Sequence, residues 1–442
     1  MKSAIIAIFS IISINSFAQD IWKYFTPADF AARRAKVMDK IGDGIAILQG
    51  AGLPEAFVSF RQDNNFYYLS GVEIPDATML LDGKSKKAYL FVPDNISGDI
   101  KEEALIKAGT ESAKKYMFDR VAPKTHLSGY LSYYTSAADH VWVITTPEET
   151  AEMSRDRCEM ERQTRMNDPW DGRISKENNF INKIKERFPV VSIKNLSPVL
   201  DEMRWVKDAK EIAVMRECGR IGCLGFDEAM RVTKPGIYEY QVVAACDFIY
   251  ANSNTTPAYF PIAASGPRGL SWHYNANNHP MEVGTVILLD YAPELNYYTT
   301  DITRTWPVSG QFTDDQLKMY NCVKQARDEV IAAMKPGVTV EDLEKIGKAV
   351  YARNGYEKNW PNYIGHFVGM AVHDVGPYDK PFVAGVVFNV EPILEDKEKK
   401  IHFRIEDTIV ITATGAENLT PQSPVDAAAI YKLIKEKGVG EK

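Results

Sequence analysis

The sequence predicts a mixed α/β protein (α/β, or α+β) of two domains, the second of which is internally duplicated. The chain has 442 residues, more than one ordinary domain holds. Helix-like and strand-like segments alternate along it, as they do in mixed folds. A unit of helix, Lys-Pro-Gly turn and helix occurs twice, with the turns at residues 234–236 and 335–337, which indicates a duplication.

Composition and charge narrow the class of protein. Hydrophobic residues make up 45% of the chain and charged residues 25%, as in folded globular proteins. The net charge of −7 disfavours binding to nucleic acid or to an anionic membrane through a basic surface. We therefore expect neither kind of partner.

The first eighteen residues differ from the rest. Lys2 precedes an apolar run at residues 4–14, and small residues stand at Ser16 and Ala18. This order is typical of a secretory signal peptide (residues 1–18) that is cut after Ala18, so that the mature chain begins at Gln19. The apolar run is shorter than the roughly 20 residues of a membrane-spanning helix. We expect a secreted or periplasmic protein; an uncleaved anchor helix and a buried first strand are the alternatives.

The cysteines are few, odd in number and without close pairs. This spacing favours buried free thiols over a zinc-thiolate site or a disulfide framework. They are Cys158, Cys218, Cys223, Cys246 and Cys322.

We predict that residues 19–200 form the first domain. We expect a helix in "DFAARRAKVMDKI" and strands in "GIAILQG", "NNFYYLSG", "DATMLLD", "KKAYLFVP" and "HVWVITTP". The charged residues 150–173 predict a solvent-facing helix and a loop. A strand in "FPVVSI" then leads into a proline-containing connector, and we place the domain boundary at about residue 200.

Residues 201–442 hold the duplication. Each KPG turn ends one amphipathic helix and precedes another, and Thr313 and Gln316 predict a capping box at the start of the second unit. Strand-like segments follow each unit. Chance repetition of a common helix stop is the alternative interpretation.

Two aspartates stand where a strand pair should be apolar. In "VILLDYAPELNYYTTDITRTWPV", Asp290 shares a strand face with Leu288, and Asp301 shares a face of the next strand with Thr303 and Thr305. A buried carboxylate is costly unless a cation or dense hydrogen bonding compensates it. Either these aspartates face water or a positive group lies between them.

Similar candidates follow both helical units, each in or just before an apolar segment. Together they form a set of four carboxylates and one imidazole, which suits two divalent cations with bridging carboxylates if the segments converge. The set is Asp290, Asp301, His366, Glu391 and Glu406.

These segments resemble the pita-bread metallopeptidases, which include methionine aminopeptidase, aminopeptidase P, prolidase and the metal-free creatinase. The DxxxxxxxxxxD spacing followed by "ITRT", then "HxxGxxxHD", "VEP" and "RIED", match the family's motifs in order. "RRAKVMDKIGDGIAILQG" and "SFRQDNNFYYLSGVEIPDATMLL" resemble the N-terminal domain of aminopeptidase P. The resemblance implies a creatinase/aminopeptidase P-type α/β domain at residues 19–200 and a pita-bread catalytic domain at residues 201–442.

The resemblance also implies roles for the metal-binding set. Asp290 would bind one ion, and Asp301 and Glu406 would bridge both. His366 and Glu391 would complete the other ion's ligands, and Glu391 would also carry a proton. Manganese is the first choice of metal, with cobalt, zinc and iron as alternatives.

Further positions match or depart from the family pattern. His273 and His373 match family histidines that contact substrate and transition state, and Arg404 matches an arginine beside the bridging glutamate. The departures are Asn362 in place of a frequent histidine, Ile393 and Glu395 in place of a glycine and a tyrosine, and Ala292 in place of a glycine.

The sequence therefore predicts an exported aminopeptidase whose substrates are peptides with proline at the second position. The close alternative is a prolidase, which acts on Xaa-Pro dipeptides with the same site. A non-catalytic peptide-binding module is the alternative from another class, and it is disfavoured because all five metal positions are filled. We also expect a homo-oligomer, either a dimer or a tetramer.

Overall fold

The computed structural model describes residues 23–54, 58–94, 106–138 and 140–440. The predicted signal peptide at residues 1–18 lies outside these ranges. None of the helices within them has both the length and the apolar character that crossing a bilayer requires.

A six-stranded mixed sheet organises the first part of the chain. Its elements are α1 (Pro27–Lys40), β1 (Ile45–Gln49), α2 (Asn64–Ser70), β2 (Thr78–Asp82), β3 (Lys87–Val92), α3 (Thr110–Lys115), β4 (Arg120–Pro123), α4 (Leu127–Ala137), β5 (His140–Val143), α5 (Arg155–Asn167), α6 (Lys176–Arg187) and β6 (Ser192–Asn195). The strand order is β4-β3-β2-β1-β5-β6, and β2 is antiparallel to both of its neighbours. Both faces of the sheet are covered, because Ile45 and Ile47 belong to one apolar cluster and Ala46 and Leu48 to another.

The strand predicted in "NNFYYLSG" is wrong, because this segment forms the helix α2. All seven of its residues are buried, so its hydrophobic pattern has no period that distinguishes a helix from a strand. Local chemistry decides the conformation. Asp63 caps the helix by accepting a hydrogen bond from Phe66 N at 2.9 Å, and Gly71 ends it at a left-handed φ of 63°.

The proline-containing connector is also helical. It forms α7 (Ser197–Trp205), with Pro198 in the first turn, where a missing N–H is tolerated. The boundary predicted near residue 200 falls within α7.

The rest of the chain builds two similar halves. Its elements are α8 (Ala209–Val232), α9 (Glu239–Asn252), β7 (Thr256–Pro257), β8 (Ile262–Ser265), β9 (Val286–Asp290), β10 (Pro293–Leu295), β11 (Tyr298–Thr299), β12 (Thr303–Pro307), α10 (Asp314–Ala333), α11 (Val340–Arg353), β13 (Val387–Val390), β14 (Ile393–Asp396), β15 (Ile401–Arg404), β16 (Asp407–Ile411), β17 (Ala416–Asn418) and α12 (Ala427–Leu433). The pairs α8–α9 and α10–α11 each contain a KPG turn, whose glycine has a φ of 89° at Gly236 and 93° at Gly337. A three-stranded sheet follows each pair, in the orders β12-β9-β8 and β13-β16-β17.

One bridge joins the two halves at their centre. Thr303 pairs with Asp290 across β9 and β12, and it also forms an antiparallel bridge with Glu406. Strand ends from both halves therefore meet at Thr303, with fully buried Trp306 and its apolar cluster beneath them. This meeting point is where the carboxylates converge.

Candidate metal centre and active site

The first pair of carboxylates comes from the β9–β12 hairpin. Asp290 is the last residue of β9. The sequence pattern predicted that Asp301 lies on a continuous strand, but it lies in the connection before β12. The Tyr259 hydroxyl lies 2.9 Å from Asp290 Oδ1 and 2.6 Å from Asp301 Oδ1. One hydroxyl proton serves two buried carboxylates, so these groups need further compensation.

The second half of the sheet system supplies the remaining candidates. Glu391 follows β13, and Glu406 lies between β15 and β16, where its N–H donates to Thr303 O at 2.9 Å. His366 Nε2 lies 3.3 Å from Asp301 Oδ2 and 3.5 Å from Glu391 Oε1. The structure thus brings these three residues to the aspartates of the first half.

Three of these side chains form a compact set of potential ligands. One ligand atom each from Asp301, His366 and Glu406 lies within 4.8 Å of the others, and all three residues are buried. His366 Nδ1 lies 3.1 Å from Phe367 O, which favours the tautomer with a proton on Nδ1. Burial would lower the pKa of His366, but Asp301 and Glu391 raise it, so without a metal the ring holds a proton on Nε2 toward these carboxylates. A bound metal ion would replace that proton at Nε2.

The buried carboxylates of the cluster repel one another, and positive charge would compensate them. Burial raises the pKa of Asp290 to about 8, although the charge of Arg404 opposes this effect. Burial likewise raises the pKa of Glu391, and it raises that of Glu406 well above its usual range, helped by neighbouring carboxylates. Burial would also raise the pKa of Asp301, but the hydrogen bond and charge of His366 lower it. This donor set fits divalent cations, which would relieve the repulsion among the carboxylates.

Arg404 lies on the other side of Asp290. Its Nη2 donates to Asp290 Oδ2 at 2.5 Å and its Nε donates to Thr303 Oγ1 at 3.1 Å. The resemblance placed this arginine beside the bridging glutamate. Its direct carboxylate partner is Asp290, and its charge also acts on Glu406.

Comparison with known proteins gives the family. Residues 213–413 match the model of metallopeptidase family M24, and residues 30–142 match that of the aminopeptidase P N-terminal domain. The Xaa-Pro aminopeptidase of Escherichia coli is 28% identical over 89% of this chain and 94% of its own. Mitochondrial intermediate cleaving peptidase 55 of Arabidopsis thaliana is 27% identical over 92% of this chain and 82% of its own. The structure of proline aminopeptidase P II from Yersinia pestis matches with a TM-score of 0.76 and 26% identity, covering 92% of this chain and 99% of that one.

The chain belongs to the aminopeptidase P family of pita-bread metallopeptidases. This confirms the predicted fold class, with the aminopeptidase P-type domain before the M24 domain. The protein is a hydrolase of the metalloaminopeptidase class, and membership of the M24 family implies divalent metal ions.

The two substrate-contacting histidines implied by the resemblance differ in position. The His373 ring stacks on the His366 ring, with centroids 3.7 Å apart and planes 14° apart. His273 lies on an exposed loop, and its pKa is lowered by partial burial and then by the charges of Arg157 and Arg404. His373 therefore touches a candidate ligand directly, whereas His273 is exposed on its loop.

The departures from the family pattern have local explanations. Asn362 is exposed and has a left-handed φ of 55°, which asparagine tolerates well. Ile393 is buried in the core. Glu395 accepts a hydrogen bond from Trp272 Nε1 at 2.7 Å and lies 3.0 Å from His402 Nδ1, so it fastens the loop that carries His273 to β14.

Sequence reasoning missed several residues that hold the cluster. Asn389 Nδ2 donates to Glu406 Oε1 at 2.6 Å, and its Oδ1 accepts from His366 N at 2.5 Å. Thr303 Oγ1 donates to Glu406 Oε2 at 2.6 Å, and the Tyr363 hydroxyl donates to Glu391 Oε1 at 2.7 Å. Asn389 had a usable signal, since it is polar within the apolar strand "VVFNV" and shares a face with the glutamate two residues later.

The first part of the chain also reaches this site, through a buried ion network. Arg204 of α7 donates to Asp374 Oδ1 at 2.6 Å and to Glu149 Oε2 at 2.6 Å, and Lys207 Nζ lies 3.1 Å from Asp374 Oδ2. All four side chains are at most 6% exposed. Since Asp374 follows His373 directly, the network fixes the segment that carries that histidine.

Proposed function

We propose that the protein is an exported, dinuclear metalloaminopeptidase that hydrolyses the bond between an N-terminal residue and a following proline. The observation that carries the proposal is the buried cluster of four carboxylates and one imidazole at the meeting point of the two halves. The relatives named Xaa-Pro aminopeptidase support the preference for proline.

The five residues of the cluster would hold two divalent ions, with Asp301 and Glu406 shared between them. Bound there, the ions would supply Lewis acidity toward the scissile carbonyl and water of lowered pKa. A site rich in oxygen with a single imidazole suits manganese first, with cobalt, zinc and iron as alternatives. Arg404 would keep Asp290 oriented and reduce the charge repulsion among the carboxylates.

Protein groups would handle the protons of the reaction. Burial raises the pKa of Glu391, and the hydroxyl of Tyr363 fixes the orientation of its carboxyl group, so it is suited to take up the proton that the attacking water releases. It would deliver that proton to the prolyl nitrogen, which has no N–H in the substrate. His373 and His273 would donate hydrogen bonds to the oxygen of the tetrahedral transition state.

A short peptide panel tests the proposal. We expect Ala-Pro-Ala to be cleaved with a higher kcat/KM than the dipeptide Ala-Pro, because an aminopeptidase leaves the carboxyl side of proline open. Ala-Ala-Ala should be cleaved at least about 100-fold less well, since a pocket shaped for the proline ring discriminates by several kcal/mol. Each peptide is measured with manganese, cobalt, zinc or iron, and after chelation.

The other outcomes of this panel assign other functions. A higher kcat/KM for Ala-Pro than for Ala-Pro-Ala would identify the protein as a prolidase. Equal cleavage of Ala-Ala-Ala contradicts the preference for proline. Stoichiometric peptide binding without hydrolysis under any metal indicates a peptide-binding module.

Export and self-association extend the proposal. The signal-like order of residues 1–18 motivates a mature chain that begins at Gln19. Intact mass of the protein recovered outside the cytoplasm should show this start, and retention of residues 1–18 would contradict it. The same material in light scattering should give the mass of a dimer or a tetramer, an expectation that rests on the family resemblance.

A further inference from the structure

The segment that joins β5 to the first turn of α5 leaves the N-terminal sheet and crosses to the active site. Val372 N donates to Ala151 O at 2.8 Å, and Ser154 forms a parallel bridge with His373. Ala151 also packs in a small apolar cluster with Val372 and with Tyr259, the tyrosine that contacts both aspartates. This segment, which we name the crossing segment (residues 144–157), thus forms one wall of the site.

Ion pairs hold the crossing segment in place. Arg155 Nε donates to Glu149 Oε1 at 2.7 Å, and Arg155 Nη1 lies 2.5 Å from Asp201 Oδ2 of α7. Glu149 is in turn bound by Arg204. Because these contacts are largely buried, the first turn of α5 has a fixed position relative to the metal-binding cluster.

Arg157 stands in that first turn, and its side chain is exposed. Arg157 is three residues after Ser154, whose backbone pairs with His373, so it stands at the edge of the site beside that histidine. Its charge lowers the pKa of His273, after burial and ahead of Arg404, which agrees with this position. Within the part of the chain that the structure describes, it forms no ion pair. Every other arginine at residues 150–175 does: Arg155 with Glu149, Arg162 with Glu159, Arg165 with Glu161 and Arg173 with Asp171.

An unpaired cation at this place suits an anionic end of the substrate. An aminopeptidase holds the free amino end at its metals, so the other end of the peptide runs outward past His273. In Xaa-Pro-Yaa the terminal carboxylate lies two residues beyond the scissile carbonyl, or about 7 Å when extended.

We propose that Arg157 binds the C-terminal carboxylate of tripeptides of the form Xaa-Pro-Yaa and so makes them the preferred substrates. This inference rests on the proposed function and adds the substrate length and the residue that sets it. In longer peptides the same position is occupied by a neutral peptide group, so the guanidinium gains no charged partner.

The test compares Ala-Pro-Ala with its C-terminal amide in the metal-loaded wild type, Arg157→Gln, Arg157→Lys and Arg165→Gln. The wild type should cleave the acid about tenfold better than the amide in kcat/KM, mainly through KM, since a charge-assisted contact at a partly exposed site has about this effect. The ratio should fall to about one in Arg157→Gln, by loss on the acid, and recover in part in Arg157→Lys. Arg165→Gln, an exposed arginine on the same helix, should keep the wild-type ratio.

A binding measurement separates this inference from the proposed function. Calorimetry with the dipeptides Pro-Ala and Pro-Ala amide needs no hydrolysis, and we expect the wild type to favour the acid and Arg157→Gln to favour neither. Absence of Xaa-Pro cleavage together with this binding pattern would refute the function but support the role of Arg157. An acid-to-amide ratio near one in the wild type, or an unchanged ratio in Arg157→Gln, would overturn that role. If the acid preference appears only for peptides with an acidic Yaa side chain, Arg157 binds that side chain and the tripeptide assignment is wrong.

Discussion

Glu406→Ala is expected to abolish hydrolysis and metal binding together. Glu406 receives hydrogen bonds from Asn389 and Thr303, and it lies within ligand distance of Asp301 and His366, so its removal takes away the carboxylate that joins the two halves. We expect kcat to fall by more than about 10³-fold, beyond the effect of losing a single transition-state hydrogen bond. Metal content by mass spectrometry, measured beside turnover of Ala-Pro-Ala, checks this.

Two controls make the result specific. His373→Ala should lower turnover by about 10²–10³-fold and still retain the metal, because its ring stacks on His366 and is not among the grouped ligand atoms. The metal-free Glu406→Ala variant should unfold no more readily than the metal-free wild type, since it has one fewer buried carboxylate in a crowded cluster. Two metal equivalents and near-normal turnover in Glu406→Ala would refute the dinuclear site.

Arg204→Met should be the most destabilising of these changes. Arg204 is 1% exposed and is the shared partner of Asp374 and Glu149, so the substitution leaves two buried carboxylates with less compensation. Removing one partner from a buried ion pair typically costs about 3–5 kcal/mol. Thermal and urea unfolding of the metal-free protein measure the loss, and Arg165→Gln is the control, because its ion pair with Glu161 is 62% exposed on both sides and contributes little.

The pH dependence of that loss follows from Asp374. Burial would raise its pKa, but the charges of Arg204 and Lys207 lower it below the usual value. A carboxyl with a lowered folded-state pKa contributes stability above its unfolded pKa of about 3.9, and this contribution disappears as the pH falls through the folded-state value. The gap in stability between wild type and Arg204→Met should therefore narrow below about pH 4. If the difference in stability between wild type and Arg204→Met does not change below about pH 4, the loss is due to packing and not to charge.

Much of the site was visible in the sequence because each candidate ligand interrupts an apolar segment. Strand periodicity identified β9 and its terminal Asp290, and the KPG turns marked both helical units at their observed positions. The pattern failed at Asp301, since a period of two cannot show where hydrogen-bonded pairing stops. It failed again in α2, where complete burial removes any period and a cap at Asp63 decides the conformation.

The contacts between distant segments could not be predicted from one sequence. Arg204 and Asp374 are 170 residues apart, and each alone resembles an ordinary surface charge. The same holds for Ser154 and His373, which pair only because the crossing segment leaves its own sheet. Periodicity describes which face of an element is buried, but it carries no information on the element that will cover that face.

The buried ion network also limits how this chain can exchange parts with its relatives. Glu149 comes from the N-terminal part of the chain, Arg204 and Lys207 come from the connector, and Asp374 comes from the segment that carries His373. A hybrid that joins an unrelated N-terminal part at residue 200 would contain Arg204 without Glu149. A hybrid that replaces the connector would leave Glu149 and Asp374 buried without their cationic partners. Recombination within the family is therefore expected to preserve these charges as a group. The N-terminal part and the catalytic part of the chain would then change together, although each carries its own sheet.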